Sequence, residues 1–103
     1  MLIAESRNGV PIRLTEERWT HIIEEHCELL DCQSDVLQTV QEAVQVFEGA
    51  NGEFLAARPL DSNRVLVVVY RELKTNDGFV ITAFITKRLT SLAKRKLIWP
   101  PKT

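Results

Sequence analysis

The sequence predicts an α+β fold, with two N-terminal helices packed on one face of an antiparallel meander, and three observations predict it. Apolar residues recur at helical spacing between residues 16 and 45, the period changes to that of strands after the turn cluster Gly49-Ala50-Asn51-Gly52, and the later strands are joined by connectors of hairpin length. A chain of 103 residues reads as a single domain, 1–103, long enough to bury a core without disulfides. Hydrophobic content of 45% with only 4 Gly and 4 Pro argues against disorder and against a fibrous repeat.

Asn8-Gly9, between Leu2-Ile3 and Val10-Pro11-Ile12, reads as the turn of a small hairpin or an edge strand. Thr15 followed by Glu16 and Glu17 is a helix start, with Thr15 as N-cap. This first helix is expected to run to about residue 30, burying Trp19, Ile22, Ile23, Leu29 and Leu30. A second helix is expected from Ser34 or Asp35 to Gln45, with Val36, Leu37, Val40, Ala43 and Val44 on its apolar side. Three strands follow, Glu53 to Arg58, Arg64 to Glu72 and Gly78 to Lys87. In the last of them Phe79, Ile81, Ala83, Ile85 and Lys87 share the face that suits the helices, and Val80, Thr82, Phe84, Thr86 and Arg88 form the outer face. The closing stretch LTSLAKRKLIW suits either a short helix or a strand, and Pro100-Pro101 stops it.

The longest apolar run, Leu66 to Tyr70, is far too short for a bilayer span, and the opening residues carry no basic segment of a secretory signal, so a cytoplasmic protein with no membrane partner is expected. Cys27 and Cys32 are then expected as reduced thiols. The net charge of −1 conceals an asymmetry, because residues 1–52 hold 3 Lys+Arg against 10 Asp+Glu whereas residues 53–103 hold 10 against 4. The basic half is the candidate for meeting phosphate, and the plain alternative is an acidic helix surface with a solvated basic tail.

RWTHIIEEHCELLDC, residues 18–32, places two His and two Cys close together. Residues five apart on a helix are separated by about 140°, so His21 and His26 are not expected to share a face as a zinc-binding pair does. Cys27 and Cys32 are also five apart, wider than a structural zinc clip, and neither a metal nor any other cofactor is expected. His26 falls within the apolar stripe, either buried or open onto a cleft, and His21 points the other way.

Three stretches in order, IRLTEERWTHIIEEH, LVVVYRE and DGFVITAFITKR ahead of KRKLIW, resemble the phage-associated branch of the barnase–EndoU–colicin–RelE-like nuclease superfamily. The last two are also similar to BrnT-type toxins. The resemblance covers residues 12–99, with one departure, His26-Cys27-Glu28 where the family reads His-Pro-Glu. It implies a RelE/barnase-like fold with a curved sheet, RNA on its free face, and metal-independent endoribonuclease chemistry. Such an enzyme assists the 2′-hydroxyl in attacking its own phosphate, which needs a proton acceptor, a proton donor and cations.

Carried over residue by residue, the resemblance makes His26 the first acid/base candidate and His21 the second. Arg71 and Thr82 join them at the catalytic site, and Arg58, Thr86, Lys87, Arg88, Lys94, Arg95 and Lys96 are candidates for holding RNA. The plain readings are cross-strand pairing of Arg58 and Arg71 with Glu53 or Glu72, strand propensity for Thr82 and Thr86, and solvated cations in the tail. A toxin of this type implies an acidic antitoxin covering the basic face. The alternatives are an inactive RNA- or protein-binding module of the same fold, or a structural partner that dimerises through a sheet edge or its acidic helices.

Overall fold

Gly9 adopts φ +80°, as the Asn8-Gly9 pair requires, and closes the hairpin of β1 (Leu2–Glu5) and β2 (Pro11–Leu14). The computed structural model describes residues 1–87 and 90–101. Helix α1 (Glu16–Glu25) starts where expected, with the Thr15 hydroxyl accepting the Arg18 amide at 3.1 Å. It ends earlier than expected, at His26, whose φ of −133° and ψ of 69° leave the helical region without any proline to enforce it. A single 3-10 turn, Cys27–Leu29, then carries Leu29 into the core while Leu30 is 61% exposed, which corrects the reading of Leu30 as a core residue.

Helix α2 (Gln33–Gln41) starts after Cys32 with no side-chain cap, not at Ser34 or Asp35, and it stops before Gln45 because Gln45 already opens strand β3 (Gln45–Glu48). Val44, expected on its buried side, is 56% exposed. The remaining elements are β4 (Phe54–Pro59), β5 (Val65–Lys74), β6 (Asp77–Thr86), the four-residue helix α3 (Thr90–Ala93) and β7 (Leu97–Trp99). The three strands expected after residue 52 are present within one or two residues, and the closing stretch forms both a short helix and a strand.

The seven strands form one sheet in the order β1-β2-β6-β5-β4-β3-β7. Every pairing is antiparallel except β2 with β6, which run parallel through Ile12↔Gly78 and Arg13↔Phe79. Packing on one side joins Ile22, Leu29, Val36 and Val40 of the helical region to Ile12, Leu14, Leu66, Val68, Tyr70 and Val80 of the strands. A smaller cluster on the other side gathers Phe47, Leu55, Ala57 and Val67 under Leu92 of α3. The turn after β1 reaches the last strand, where the Arg7 guanidinium sits 5.2 Å from the Trp99 ring centroid and Nε donates to the Ala43 carbonyl at 3.1 Å.

Strand β6 carries a bulge that changes which residues share a face. Val69 pairs with Thr82 and Tyr70 with Val80, leaving Ile81 as the extra residue. Ala83 and Ile85 face the helices as expected, but before the bulge the alternation inverts. Val80 is buried among the helices, and Phe79 joins Thr82, Phe84 and Thr86 on the outer face. Alternation counted along an unbroken strand misses this, because one inserted residue exchanges the two faces.

Tyr70 is the only tyrosine, stacked on Phe54 at 5.6 Å, and its buried hydroxyl has no hydrogen-bond partner among the described residues. Burial, with a smaller push from the Glu72 charge, raises its pKa above the ordinary 10.0. An acid whose pKa is raised by folding stabilises the protein below the unfolded pKa and loses that contribution as pH rises through the folded value. Stability should therefore fall steeply above about pH 10, with tyrosinate absorbance at 295 nm appearing only together with unfolding. Tyr70→Phe should remove this alkaline loss and, by removing an unpaired buried hydroxyl, leave neutral-pH stability unchanged or raise it by about 1 kcal/mol.

Candidate functional site

The site is assembled where β2 stops pairing with β6. The two strands share only two register positions, so the rest of β6 on that side meets α1. Between them lies an open cleft of about 310 Å³ lined by Arg18, His21, Glu25 and His26 from the helical segment and by Ile81 and Thr82 from the bulged part of β6.

Arg18, His21 and Glu25 fall on one side of α1 because they are three and four residues apart. His26 reaches the same cleft because the helix has ended. The angular count that separates His21 from His26 applies only inside a continuous helix, and His26 lies where the backbone turns away. The two imidazoles therefore line one cavity, contrary to the expectation from spacing.

The His26 side chain is 32% exposed, which answers whether it belongs to the core or to a cleft. Its Nδ1 lies 3.5 Å from a Glu28 carboxylate oxygen, and its ring is tilted against Phe84 with centroids 6.4 Å apart. An aromatic wall on one side and a carboxylate at one nitrogen restrict the ring without burying it. His21 is exposed on the rim, and Thr82 is half-buried on the floor. The cleft thus joins two imidazoles, a guanidinium in Arg18 and a hydroxyl.

The other expected site residues are placed elsewhere. Arg58 turns toward the helices, donating to Thr39 Oγ1 at 3.2 Å and to Asp35 Oδ1 at 3.1 Å with its side chain only 17% exposed. It is a strut between β4 and α2, and the free face is not where it points. Arg71 is on that free face, five register steps along β5 from Leu66, the partner of Arg58. Its Nη2 donates to the Asn51 carbonyl at 3.0 Å, with a Glu53 oxygen at 4.0 Å, the partner foreseen in the plain reading.

Thr86 is half-buried and Lys87 exposed at the far end of β6. Lys94, Arg95 and Lys96 are exposed between α3 and β7, and Arg95 lines a separate groove with Phe47, Leu92 and Leu97. Arg88 lies outside the described residues. Sequence reasoning passed over Arg18, Glu25 and Glu28. The signal for the first two was available, since both sit at helical spacing from His21.

Among the described residues no group of three or more His, Cys, Asp or Glu is arranged to hold a metal ion. No helix among them is long and apolar enough to cross a membrane. Comparison of the chain with protein-family models, with curated proteins and with solved structures finds no match.

Proposed function

We propose that the protein is a metal-independent endoribonuclease whose reaction centre is the cleft between α1 and β6. The observation that carries this reading is the presence of His21, His26 and Arg18 in one solvent-accessible cavity, with Thr82 beside them. Cleavage by internal transfer needs one group to take the proton of the 2′-hydroxyl as its oxygen attacks phosphorus. A second group gives a proton to the 5′-oxygen as the P–O5′ bond breaks, and a cation stabilises the charge that develops on the phosphate. The products are a 2′,3′-cyclic phosphate and a 5′-hydroxyl, so no water and no metal enters this step.

His26 suits the base. Glu28 addresses its Nδ1 edge, which leaves Nε2 to take the proton, and the contact with Phe84 fixes the ring plane. His21, exposed in the lining of the same cleft, suits the proton donor, and Arg18 the cation. The RelE/barnase-like arrangement belongs to this reading and is supported by α1 and α2 packing on one face of a mostly antiparallel sheet. The toxin–antitoxin setting rests on the resemblance alone.

The test compares two arginines on labelled single-stranded RNA in EDTA. Arg18→Ala is expected to slow cleavage by about tenfold to a hundredfold at saturating RNA, as loss of one transition-state cation does. Arg71→Ala should change binding with little change in the saturated rate. Equal saturated rates for wild type and Arg18→Ala would place the phosphate away from this cleft.

A further inference from the structure

The bulge at Ile81 has put two phenylalanines on the same open face. Phe79 and Phe84 are five residues apart and would face opposite sides of a regular strand, yet with the extra residue between them both lie opposite the helices. Their surroundings differ. Phe84 packs on the smaller core cluster and against His26. Phe79, half-buried, belongs to neither core cluster among the described residues.

Register places Phe79 between two arginines. It pairs with Arg13 of β2 on one side and with Arg71 of β5 on the other, and residues paired across strands project from the same face. Both guanidiniums are held in position. Arg13 donates to the two Asp77 carboxylate oxygens at 2.9 and 3.3 Å, and Arg71 donates to the Asn51 carbonyl. Their side chains remain 37% and 34% exposed, so each can still meet a ligand. Helix α3 covers the part of this face near Phe47, Leu55 and Ala57, toward the opposite edge of the sheet.

Ring and guanidinium chemistry together select the occupant. The acidic residues of the first half are concentrated in the helical segment, whereas beside Phe79 the two guanidiniums are each matched by one carboxylate, Asp77 and Glu53, and stay partly open. A flat aromatic ring between two ordered and partly exposed guanidiniums is an arrangement that stacks an unpaired base and meets the phosphates beside it. We infer that Phe79, flanked by Arg13 and Arg71, is a base-stacking subsite for single-stranded RNA. The strand runs along β6 past Ile81 and Thr82 to the His26 cleft, so the inference rests on the ribonuclease reading and adds the form and path of its substrate. Phe79 and Phe84 are about 15 Å apart along the strand, room for a short run of extended nucleotides. A duplex, whose bases are already stacked on each other, has nothing to offer the ring.

The experiment measures binding of a short fluorescein-labelled polyuridine RNA by anisotropy in a His26→Ala background, and cleavage of the same RNA with His26 in place. Phe79→Ala and Phe79→Leu should each weaken binding about tenfold, the loss of one base stack, and raise KM without changing kcat. Phe79→Trp should restore both. Leucine keeps the apolar volume and circular dichroism reports the fold, so a packing effect is separated from stacking. Weakened binding with no cleavage by any variant would keep the subsite and reject the ribonuclease reading. Cleavage with unchanged Kd and KM in Phe79→Leu would reject the subsite alone, and absence of RNA binding by the parent would reject both.

Discussion

His26→Ala is expected to reduce RNA cleavage by about a hundredfold to ten-thousandfold, the usual worth of a positioned proton-transfer group, while the far-ultraviolet circular dichroism and Tm stay close to those of the parent. The two halves of this expectation come from different observations. The side chain is 32% exposed and sits outside both core clusters, so truncating it opens no buried cavity. What is lost is an imidazole held between the Glu28 carboxylate and the Phe84 ring at the wall of the cleft. His21→Ala should also be defective but less so, because an exposed rim histidine can be replaced in part by solvent or buffer as proton donor. Glu28→Gln, which keeps the shape of the side chain and removes its charge, should give an intermediate loss. An unfolded His26→Ala protein would assign the ring to the core instead.

The largest effect on stability is expected from Gly78→Ala. An added Cβ would stand 2.5 Å from the Arg71 carbonyl oxygen and 2.6 Å from Ile12 Cδ1. The methyl group is the end of a flexible side chain and can move, but the carbonyl belongs to the neighbouring strand and cannot move without disturbing the β5–β6 register. Overpacking of this kind typically costs about 1–3 kcal/mol, and contact with backbone on one side and a fully buried isoleucine on the other favours the upper end. For a domain of this length that lowers Tm by about 10–20 °C, readable by calorimetry. Gly9→Ala is the control. Gly9 has nothing within 4 Å of such a Cβ, and only its φ of +80° opposes substitution, so the penalty there should be about 1 kcal/mol. The position of Gly78 explains the contrast, because it lies at the one parallel crossing in the sheet, where Ile12 passes over β6 to reach the core.

The elements that the sequence made legible are those whose local signals agree with their tertiary surroundings. Thr15 with its acidic followers, Asn8-Gly9 and the two hairpin connectors all carry chemistry that works at short range, and each is found where expected. Strand β3 was hidden because Val46 and Phe47 are both buried, one in each core cluster, so the alternation that marks a half-exposed strand is missing. The early end of α1 was hidden because nothing in His26-Cys27-Glu28 breaks a helix by itself. The turn there is set by where Leu29 must go.

The candidate site was legible in part for the same reason. His26, His21 and Thr82 converge on one cleft, and their residue types and order were visible in advance. Which cation accompanies them was not. Arg58 and Arg71 looked equivalent as strand arginines, yet register sends Arg58 to Asp35 on the helical side and leaves Arg71 outside. Arg18 occupies the place that neither fills. Register also decides Phe79, because the single extra residue at Ile81 moves that ring to the opposite face of the sheet from the one alternation assigns it.

The most direct measurement of the central claim is the chemistry of the cut end. Purified protein is incubated with 5′-labelled single-stranded RNA in EDTA, and the 3′ terminus of each product is identified by mass and by its response to phosphatase before and after acid treatment. Proton transfer by His26 and His21 around a 2′-hydroxyl attack predicts a 2′,3′-cyclic phosphate that resists phosphatase until acid opens it, formed by wild type and lost in His26→Ala. Intact RNA after prolonged incubation, or a product ending in a 3′-hydroxyl, would contradict it.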